Sequence, residues 1–274
     1  MFTILENKPL NSAVNKLIIK AEQIASSAKA GQFVVILIDD KGERIPLTLS
    51  DWDKQQGTIT LIAQIAGATT KKLSQLKAGD SIAHILGPLG HPTETEKIGT
   101  VVCVAGGVGI AEIYPVAKAF KEAGNRVLSI IGARTQELLI LQEEVKRFSD
   151  ELFITTDDGS LGRKSLVTEP LKELFSSIEK STHTKYPDLV YVIGPVVMMK
   201  AVSDLTKEYS IKTIASLNPI MVDATGMCGS CRCSVDGKTK YACVDGPDFD
   251  AHKVDFNELS QRLRLFNTQE KTVL

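Results

Sequence analysis

Hydrophobic and polar positions change rhythm twice along the 274 residues. Up to about residue 95, short β-rich runs alternate with turn signals, the pattern of an antiparallel barrel or sandwich. Strands are predicted at Lys16–Lys20, Gln32–Ile38, Arg44–Ser50, Thr58–Ile65 and Ser81–Leu86, and a short helix at Thr70–Leu76. Gly31, Lys41–Gly42, Gln56–Gly57, Ala78–Asp80 and Gly87–Gly90 punctuate them. The polar stretch His91–Gly99 reads as a linker.

From Thr100 the period lengthens. The apolar strand Val101–Ala105 runs into Gly106, Gly107, Val108 and Gly109 and then a helix ending near Gly124. Arg126–Ile131 predicts a strand, 136–148 a helix, Leu152–Thr155 a strand, 165–179 a helix and Leu189–Ile193 a strand. This alternation implies a parallel sheet with helices on both faces. Pro115 inside this helix is a departure, tolerable only in the first turn, where a missing N–H costs nothing. Beyond about residue 214 the chain is short and cysteine-rich. It closes on a helix signalled by Asp255 and Glu258 in capping-box spacing, with Leu259, Leu263 and Phe266 on one face. The expected class is β plus α/β: an antiparallel barrel over 1–96, a parallel-sheet α/β domain over 97–213 and a small subdomain over 214–274.

Charge removes several function classes. Lys and Arg total 32 against 33 Asp and Glu, so no net field recruits nucleic acid or an anionic membrane. The longest uncharged apolar run, Leu189–Met199, holds eleven residues and Pro195, short of the roughly 20 a membrane helix needs. Glu6 precedes any apolar h-region, so no export signal is expected. A soluble, cytoplasmic protein follows as the expectation, with neither nucleic acid nor membrane as partner.

Cys228, Cys231, Cys233 and Cys243 fall within sixteen residues, while Cys103 stands alone in an apolar strand. Such clustering favours metal or redox chemistry over a disulfide framework. A structural zinc site usually takes two separated pairs, and Cys243 lacks a pair partner. A plant-type 2Fe–2S cluster wants C-x4-C-x2-C and a distant fourth cysteine. Here the first position is Asp223, giving D-x4-C-x2-C-x11-C. The preferred donor set is Asp223, Cys228, Cys231 and Cys243, with Cys233 spare; the rival set replaces Asp223 by Cys233. Zinc and plain burial remain the other readings.

The loop Gly106–Gly109 lies between a strand and a helix, where backbone N–H groups can hold a pyrophosphate. Its match to the dinucleotide fingerprint is imperfect, since Glu112 stands at the third glycine. Thr156–Ser160 and Gly194–Pro195 also follow predicted parallel strands, and ligands of open α/β sheets bind at such ends. Arg44–Thr48 and Gly67–Thr70 are candidate contacts in the barrel, with an ordinary strand end and an ordinary N-cap as the plain alternatives. His84, His91, His183 and His252 form no catalytic constellation.

Barrel, nucleotide domain and cysteine tail in this order resemble the ferredoxin-NADP reductase superfamily, in the branch of dihydroorotate dehydrogenase B electron-transfer subunits. The resemblance is closer still to the small subunits of NADH-dependent reduced ferredoxin:NADP oxidoreductases, also called sulfide dehydrogenase-like. It rests on ERIPLT (43–48), GPLG (87–90), AGGVGIAEIYP (105–115), IGAR (131–134), TDDGSLGRK (156–164), IGPVVMM (193–199), VDATGMCGSCR (222–232) and ACVDGPDFDAH (242–252). The dihydroorotate branch has cysteine where Asp223 stands, and the ferredoxin:NADP branch has this aspartate.

The resemblance implies FAD on the barrel, with Pro46, Leu47 and Thr48 beside the flavin, Thr69 and Thr70 near its pyrophosphate, and Gln64 and Ile65 among its contacts. The superfamily's flavin-contacting arginine usually stands directly before the proline. Here that place is Ile45, and Arg44 lies one position upstream. It further implies NAD(H) at Gly106, Gly107, Val108, Gly109, Arg134, Asp157, Gly194 and Pro195, with NADP(H) possible because Arg134 can read a 2′-phosphate. The implied activity is electron transfer between NAD(H), FAD and a 2Fe–2S cluster. The implied partner is a larger glutamate-synthase-like subunit with a second FAD and 4Fe–4S clusters, forming a heterodimer that reaches ferredoxin and bifurcates electrons. A colourless zinc or redox-sensing binding protein is the rival of another class.

Overall fold

The structure is a computed structural model that describes residues 1–180 and 185–265. His183 and Phe266 lie outside the described residues. The chain divides into two compact units: Met1–Thr93 with Leu217–Pro247 and residues 257–265, and Glu94–Ser216 with Asp248–Phe256.

The first unit is built on β1 (Phe2–Asn11), β2 (Val14–Lys20), β3 (Phe33–Leu37), β4 (Arg44–Asp53), β5 (Thr58–Gln64), β6 (Ser81–Ile82) and β7 (His84–Leu89), with α1 (Glu22–Ser27) and α2 (Ala68–Gln75). The strands form one antiparallel sheet in the order β6-β1-β2-β5-β4-β3-β7. The two end strands are consecutive in the chain, and the Ala83 N–H between them donates to the Ile38 carbonyl at 3.1 Å, so the sheet curls into a nearly closed barrel. Leu17, Ile19, Val34, Ile36, Leu49, Ile59 and Leu61 fill its core, and Ile45 and Leu47 pack against them. Strand alternation therefore puts Arg44, Pro46 and Thr48 on the opposite face of β4.

Two elements here escape the apolar pattern. β1 buries only Ile4 completely among mostly polar residues. It is held by pairing on both sides and by Asn7, whose amide donates to the carbonyls of Leu73 (3.1 Å) and Leu76 (2.6 Å) and accepts from Asn15 (2.9 Å). α1 is six residues long and buries only Ile24 and Ala25.

The second unit contains β8 (Thr100–Gly106), α3 (Ile110–Glu122), β9 (Arg126–Ala133), α4 (Gln142–Arg147), β10 (Glu151–Thr156), β11 (Arg163–Lys164), α5 (Thr168–Glu179), β12 (Leu189–Ile193), α6 (Val196–Glu208) and β13 (Thr213–Ser216). The chain then adds the hairpin β14 (Arg232–Val235) and β15 (Lys238–Tyr241) and the short α7 (Ala242–Asp245) to the first unit. β16 (Asp248–Asp250) returns to the second sheet, and α8 (Phe256–Leu263) follows. That sheet runs β11-β10-β9-β8-β12-β13-β16, parallel except for β16.

Asn125 anchors the entry to this sheet: its side chain accepts from the N–H groups of Ile98 (2.8 Å) and Gly99 (3.0 Å) and donates to the carbonyls of Glu96 (2.9 Å) and Phe120 (3.0 Å). Pro115 departs from expectation, standing sixth in the thirteen-residue α3 rather than in its first turn. Burial of Ile110, Ile113, Val116 and Phe120, at about 1.5–3 kcal/mol per large side chain, outweighs the roughly 3 kcal/mol an internal proline costs. The predicted helix 136–148 is broken as well: a 3₁₀ turn at Gln136–Leu138 precedes Leu141 at φ +52°, and only Gln142–Arg147 is α-helical. Leu139 and Ile140 are both buried in the irregular segment between them. Among the described residues no helix is long and apolar enough to cross a membrane.

A buried hydroxyl chain joins α6, β13 and His252. Thr213 Oγ1 donates to Thr206 Oγ1 at 2.7 Å, and Thr206 Oγ1 lies 3.0 Å from His252 Nε2. Burial holds the imidazole below its ordinary pKa, against the pull of Asp250. The unfolded chain therefore takes up this proton first, near pH 6.5, so His252 contributes stability above that pH that is lost as pH falls through its lower folded value. Urea unfolding at pH 7.5 and 5.5 is expected to show a smaller acid loss of stability for His252→Gln than for the wild type.

Candidate functional site

β8 lies between β9 and β12, and the chain winds outward from it in both directions. That is the switch point at which an open α/β sheet leaves a crevice beyond its strand ends. Gly109 and Gly194 are required there by close approach of backbone, while Gly106 faces the flexible Met198 side chain. A Cβ on Gly106 would stand 2.5 Å from Met198 Sδ, one on Gly109 2.8 Å from the Ile193 carbonyl oxygen, and one on Gly194 3.0 Å from the Gly106 oxygen. Gly107 differs: it has φ +59°, and a Cβ there would meet nothing within 4 Å, so its backbone borders open space. Val108 completes the 3₁₀ turn that leads into α3, and the exposed Pro195 precedes α6. The sequence-predicted residues Gly106–Gly109, Gly194 and Pro195 are thus brought together.

Arg134 and Asp157 stand at the ends of neighbouring strands β9 and β10, both exposed. Their backbones are laced, Asp157 N–H to the Ala133 carbonyl at 3.1 Å and Asp158 N–H to the Arg134 carbonyl at 3.3 Å. The Asp158 carboxylate is engaged in its own turn. The Ser160 hydroxyl (2.6 Å) and then its N–H (2.9 Å) donate to it and hold its pKa below the usual carboxylate range.

In the barrel, Pro46 and Thr48 oppose Val35 and Phe33. Arg44 shares their face, whereas Leu47 and Ile45 pack toward the core. Gln64 is exposed at the end of β5, and the Ile65 N–H donates to the Ala13 carbonyl at 2.8 Å. Before α2, Thr70 Oγ1 accepts from the N–H groups of Ala66 (2.9 Å) and Gly67 (3.0 Å), and Thr69 Oγ1 donates to Glu43 at 3.0 Å. The Thr70 hydroxyl is thus engaged in its own turn, and that of Thr69 in a long-range bond to the residue preceding β4.

The cysteine segment belongs to the same compact unit as the barrel. Ala224 (φ +58°), Gly226 (φ +84°) and Gly229 (φ +70°) take left-handed backbone, winding residues 223–231 into a tight loop. Asp223 Oδ1 accepts from the Thr225 N–H at 2.8 Å and the Thr225 hydroxyl at 3.1 Å. The backbone N–H of Thr225 is the main cause holding this carboxyl below its ordinary pKa; the Cys228 thiol and the Arg44 charge add to it. Cys228 is exposed, and hydrogen bonds led by the Ser230 hydroxyl lower its thiol pKa.

Cys231 and Cys243 flank the β14–β15 hairpin, whose ends are tied by the Ala242 N–H to the Cys231 carbonyl at 3.2 Å. Both are buried, 1% exposed each, with sulfurs 3.1 Å apart and no disulfide between them. Burial and the Cys231 thiol push Cys243 up to about 12. Cys233 is buried on β14 and turned to the Lys240 carbonyl at 3.7 Å, its thiol pushed up to about 12 by burial. The donors thus form two pairs, Asp223 with Cys228 and Cys231 with Cys243. Among the described residues no three His, Cys, Asp or Glu side chains converge as ligands for one ion. The arrangement fits a binuclear centre with two protein donors per metal: two sulfurs bonded at about 2.3 Å to one tetrahedral metal lie roughly 3.8 Å apart, a small opening from the spacing of the buried pair.

Residues 103–204 match the oxidoreductase NAD-binding domain, and residues 218–255 match the iron-sulfur cluster binding domain of dihydroorotate dehydrogenase B. Fold and site thus define an NAD(P)-dependent oxidoreductase subunit that carries an iron–sulfur cluster. A Thermotoga maritima protein named dihydroorotate dehydrogenase B (NAD(+)), electron transfer subunit homolog is 46% identical over 92% of this chain and 87% of its own. The electron transfer subunit of Fusobacterium nucleatum is 31% identical over 92% and 97%. The chain belongs to this family of electron-transfer subunits. A chain of the NADH-dependent reduced ferredoxin-NADP oxidoreductase structure, reported for flavin-based electron bifurcation, superposes with a TM-score of 0.92 at 43% identity, covering 100% of this chain and 96% of that one. A ferredoxin NADP+ reductase from Neisseria gonorrhoeae shares the fold, with a TM-score of 0.61 at 19% identity over 76% and 89% of the two chains.

The expected family, fold class and electron-transfer role, with an iron–sulfur cluster and a nicotinamide nucleotide as cofactors, are therefore borne out. The sequence reading missed Thr225 and Ser230, although aspartate followed two residues on by threonine is an Asx-turn signal. It also missed Met198, whose contact with Gly106 has no local signature.

The strand-end geometry makes the glycines unequal. Gly109→Ala drives a methyl group into the Ile193 carbonyl and is expected to cost about 1–3 kcal/mol. Gly107→Ala, strained only in φ, is expected to cost about 1 kcal/mol. Urea denaturation of both variants checks the order; Gly109→Ala as stable as the wild type would contradict the close approach of β8 and β12.

Proposed function

We propose that this chain passes electrons from NAD(H) through FAD and a 2Fe–2S cluster to a larger glutamate-synthase-like flavin and 4Fe–4S subunit, within an electron-bifurcating NADH-dependent ferredoxin:NADP oxidoreductase. The observation that carries this reading is Asp223. It stands at the first ligand position, hydrogen-bonded to Cys228, in a chain alike over its whole length to that enzyme's structure.

Bound flavin and cluster supply the redox chemistry, accepting an electron pair from nicotinamide and releasing electrons singly. The chain's own residues bind and orient. Arg44, Pro46 and Thr48 present one face of β4 to the flavin, and Gln64, Ile65, Thr69 and Thr70 border it, with Leu47 supporting from the core side. Gly106–Gly109 receive the nucleotide phosphates through backbone N–H groups, and the Gly194–Pro195 turn, whose proline has no N–H to give, borders them. Arg134 and Asp157 lie at neighbouring strand ends for the ribose, where Arg134 favours NADP(H) if it meets a 2′-phosphate. Asp223 and Cys228 hold one iron, Cys231 and Cys243 the other, and Cys233 holds none. None of the five cysteines is in a disulfide, which suits a reducing, cytoplasmic setting.

A second reading, an electron-transfer subunit for a dihydroorotate dehydrogenase, is supported by the names of the relatives. The partner that co-purifies from the native host separates the two: a glutamate-synthase-like chain supports the first, a dihydroorotate dehydrogenase the second. Anaerobically purified protein is expected to show flavin and iron–sulfur absorption. Asp223→Cys is expected to keep the cluster but shift its potential, and Cys233→Ser to leave the spectrum unchanged. An unshifted potential in the former, or cluster loss in the latter, overturns the ligand assignment.

A further inference from the structure

The C-terminal helix contributes a side chain that none of the assignments above uses. Arg262 on α8 donates from Nη2 to the Ser230 carbonyl at 3.0 Å, across a separation of 32 residues. Ser230 lies in the turn between Cys228 and Cys231, and its hydroxyl and N–H both hydrogen-bond the Cys228 sulfur. The Arg262 Nε–H is buried and has no acceptor among the described residues. The residue is half-buried and its Nη2 is paired, but a buried N–H donor without an acceptor is disfavoured unless a bound group completes its surroundings.

The guanidinium also lines a cavity of about 230 Å³ together with Cys228 and Ser230, where Ile220 and Leu259 supply apolar wall. In such surroundings a positive charge acts on nearby negative charge more strongly than it does in water. Reduction adds negative charge at the iron–sulfur site, so a cation held beside it favours the reduced state.

We propose that Arg262 is a positioning residue of the iron–sulfur site, pinning the Cys228–Cys231 turn through Ser230 and raising the reduction potential of the centre with its charge. This rests on Cys228 and Cys231 being ligands. Arg232 provides an internal contrast. It lines the same cavity and touches the same loop, with Nη1 3.3 Å from the Gly229 carbonyl, but its side chain is exposed, so water screens its charge.

The test compares full-length, anaerobically purified Arg262→Met, Arg262→Lys, Arg232→Met and Cys228→Ala proteins by potentiometric titration followed by EPR and by the rate of iron release to a chelator. Arg262→Met is expected to lower the potential and to release iron about tenfold faster, the usual scale for loss of an outer-shell partner. Arg262→Lys keeps the charge but not the planar fork, so its potential stays near the wild-type value while release still quickens. Arg232→Met shifts neither appreciably. Unchanged potential and release in Arg262→Met, or an equal effect in Arg232→Met, overturns the proposal. If Arg262→Met does not fold, Arg262→Lys decides, and wild-type release in that variant overturns the clamp. Full iron retention in Cys228→Ala sinks the ligand reading itself, whereas iron loss there with inert Arg262 variants sinks only the role of Arg262.

Discussion

Two buried thiols 3.1 Å apart cannot both ionise unless a cation lies between them. Alone, the fold keeps a proton on that pair, with Cys243 pushed up to about 12. Metal binding is then an exchange of protons for iron. The rest of the cysteine segment follows from building this arrangement: the β14–β15 hairpin sets Cys231 and Cys243 across from each other, and the left-handed residues at 224, 226 and 229 bring Asp223 and Cys228 round as the second pair. The two pairs differ in surroundings, since one is buried while the other, half-buried Asp223 with exposed Cys228, takes donors from Thr225 and Ser230.

Close backbone approach plays the corresponding part in the second unit. Where β8 and β12 end, Gly109 and Gly194 let two strand ends meet without side chains, and Gly107 alone turns an unobstructed backbone outward. The glycine run is thus first a packing device. Its use for a nucleotide depends on the open side that the packing leaves.

Sequence periodicity reported most of this frame. β8 and β12 are continuous apolar runs and β9 and β10 carry apolar centres, as a buried parallel sheet needs, so they were legible. β1 was not, because it buries Ile4 alone and is held by Asn7 and by strand pairing. β16 is three residues long and joins its sheet only after the excursion of 217–247. Pro115 misled because tertiary burial of α3 overrode a local rule. At the candidate site, the ligand types and spacing were legible from residues 223–243. The long-range partners were not, since the link between Arg262 and Ser230 spans 32 residues and has no spacing signature. The face of Arg44 was also resolved only by the fold: Ile45 and Leu47 turn inward, which leaves Arg44 beside Pro46 and Thr48.

Iron K-edge X-ray absorption on the oxidised, air-protected protein reads the donor set directly. The account predicts an iron–iron vector together with a mixed shell, mostly sulfur with an oxygen contribution that disappears when Asp223 is replaced by cysteine. A shell of sulfur alone in the wild-type protein, or the absence of any iron–iron vector, would contradict it.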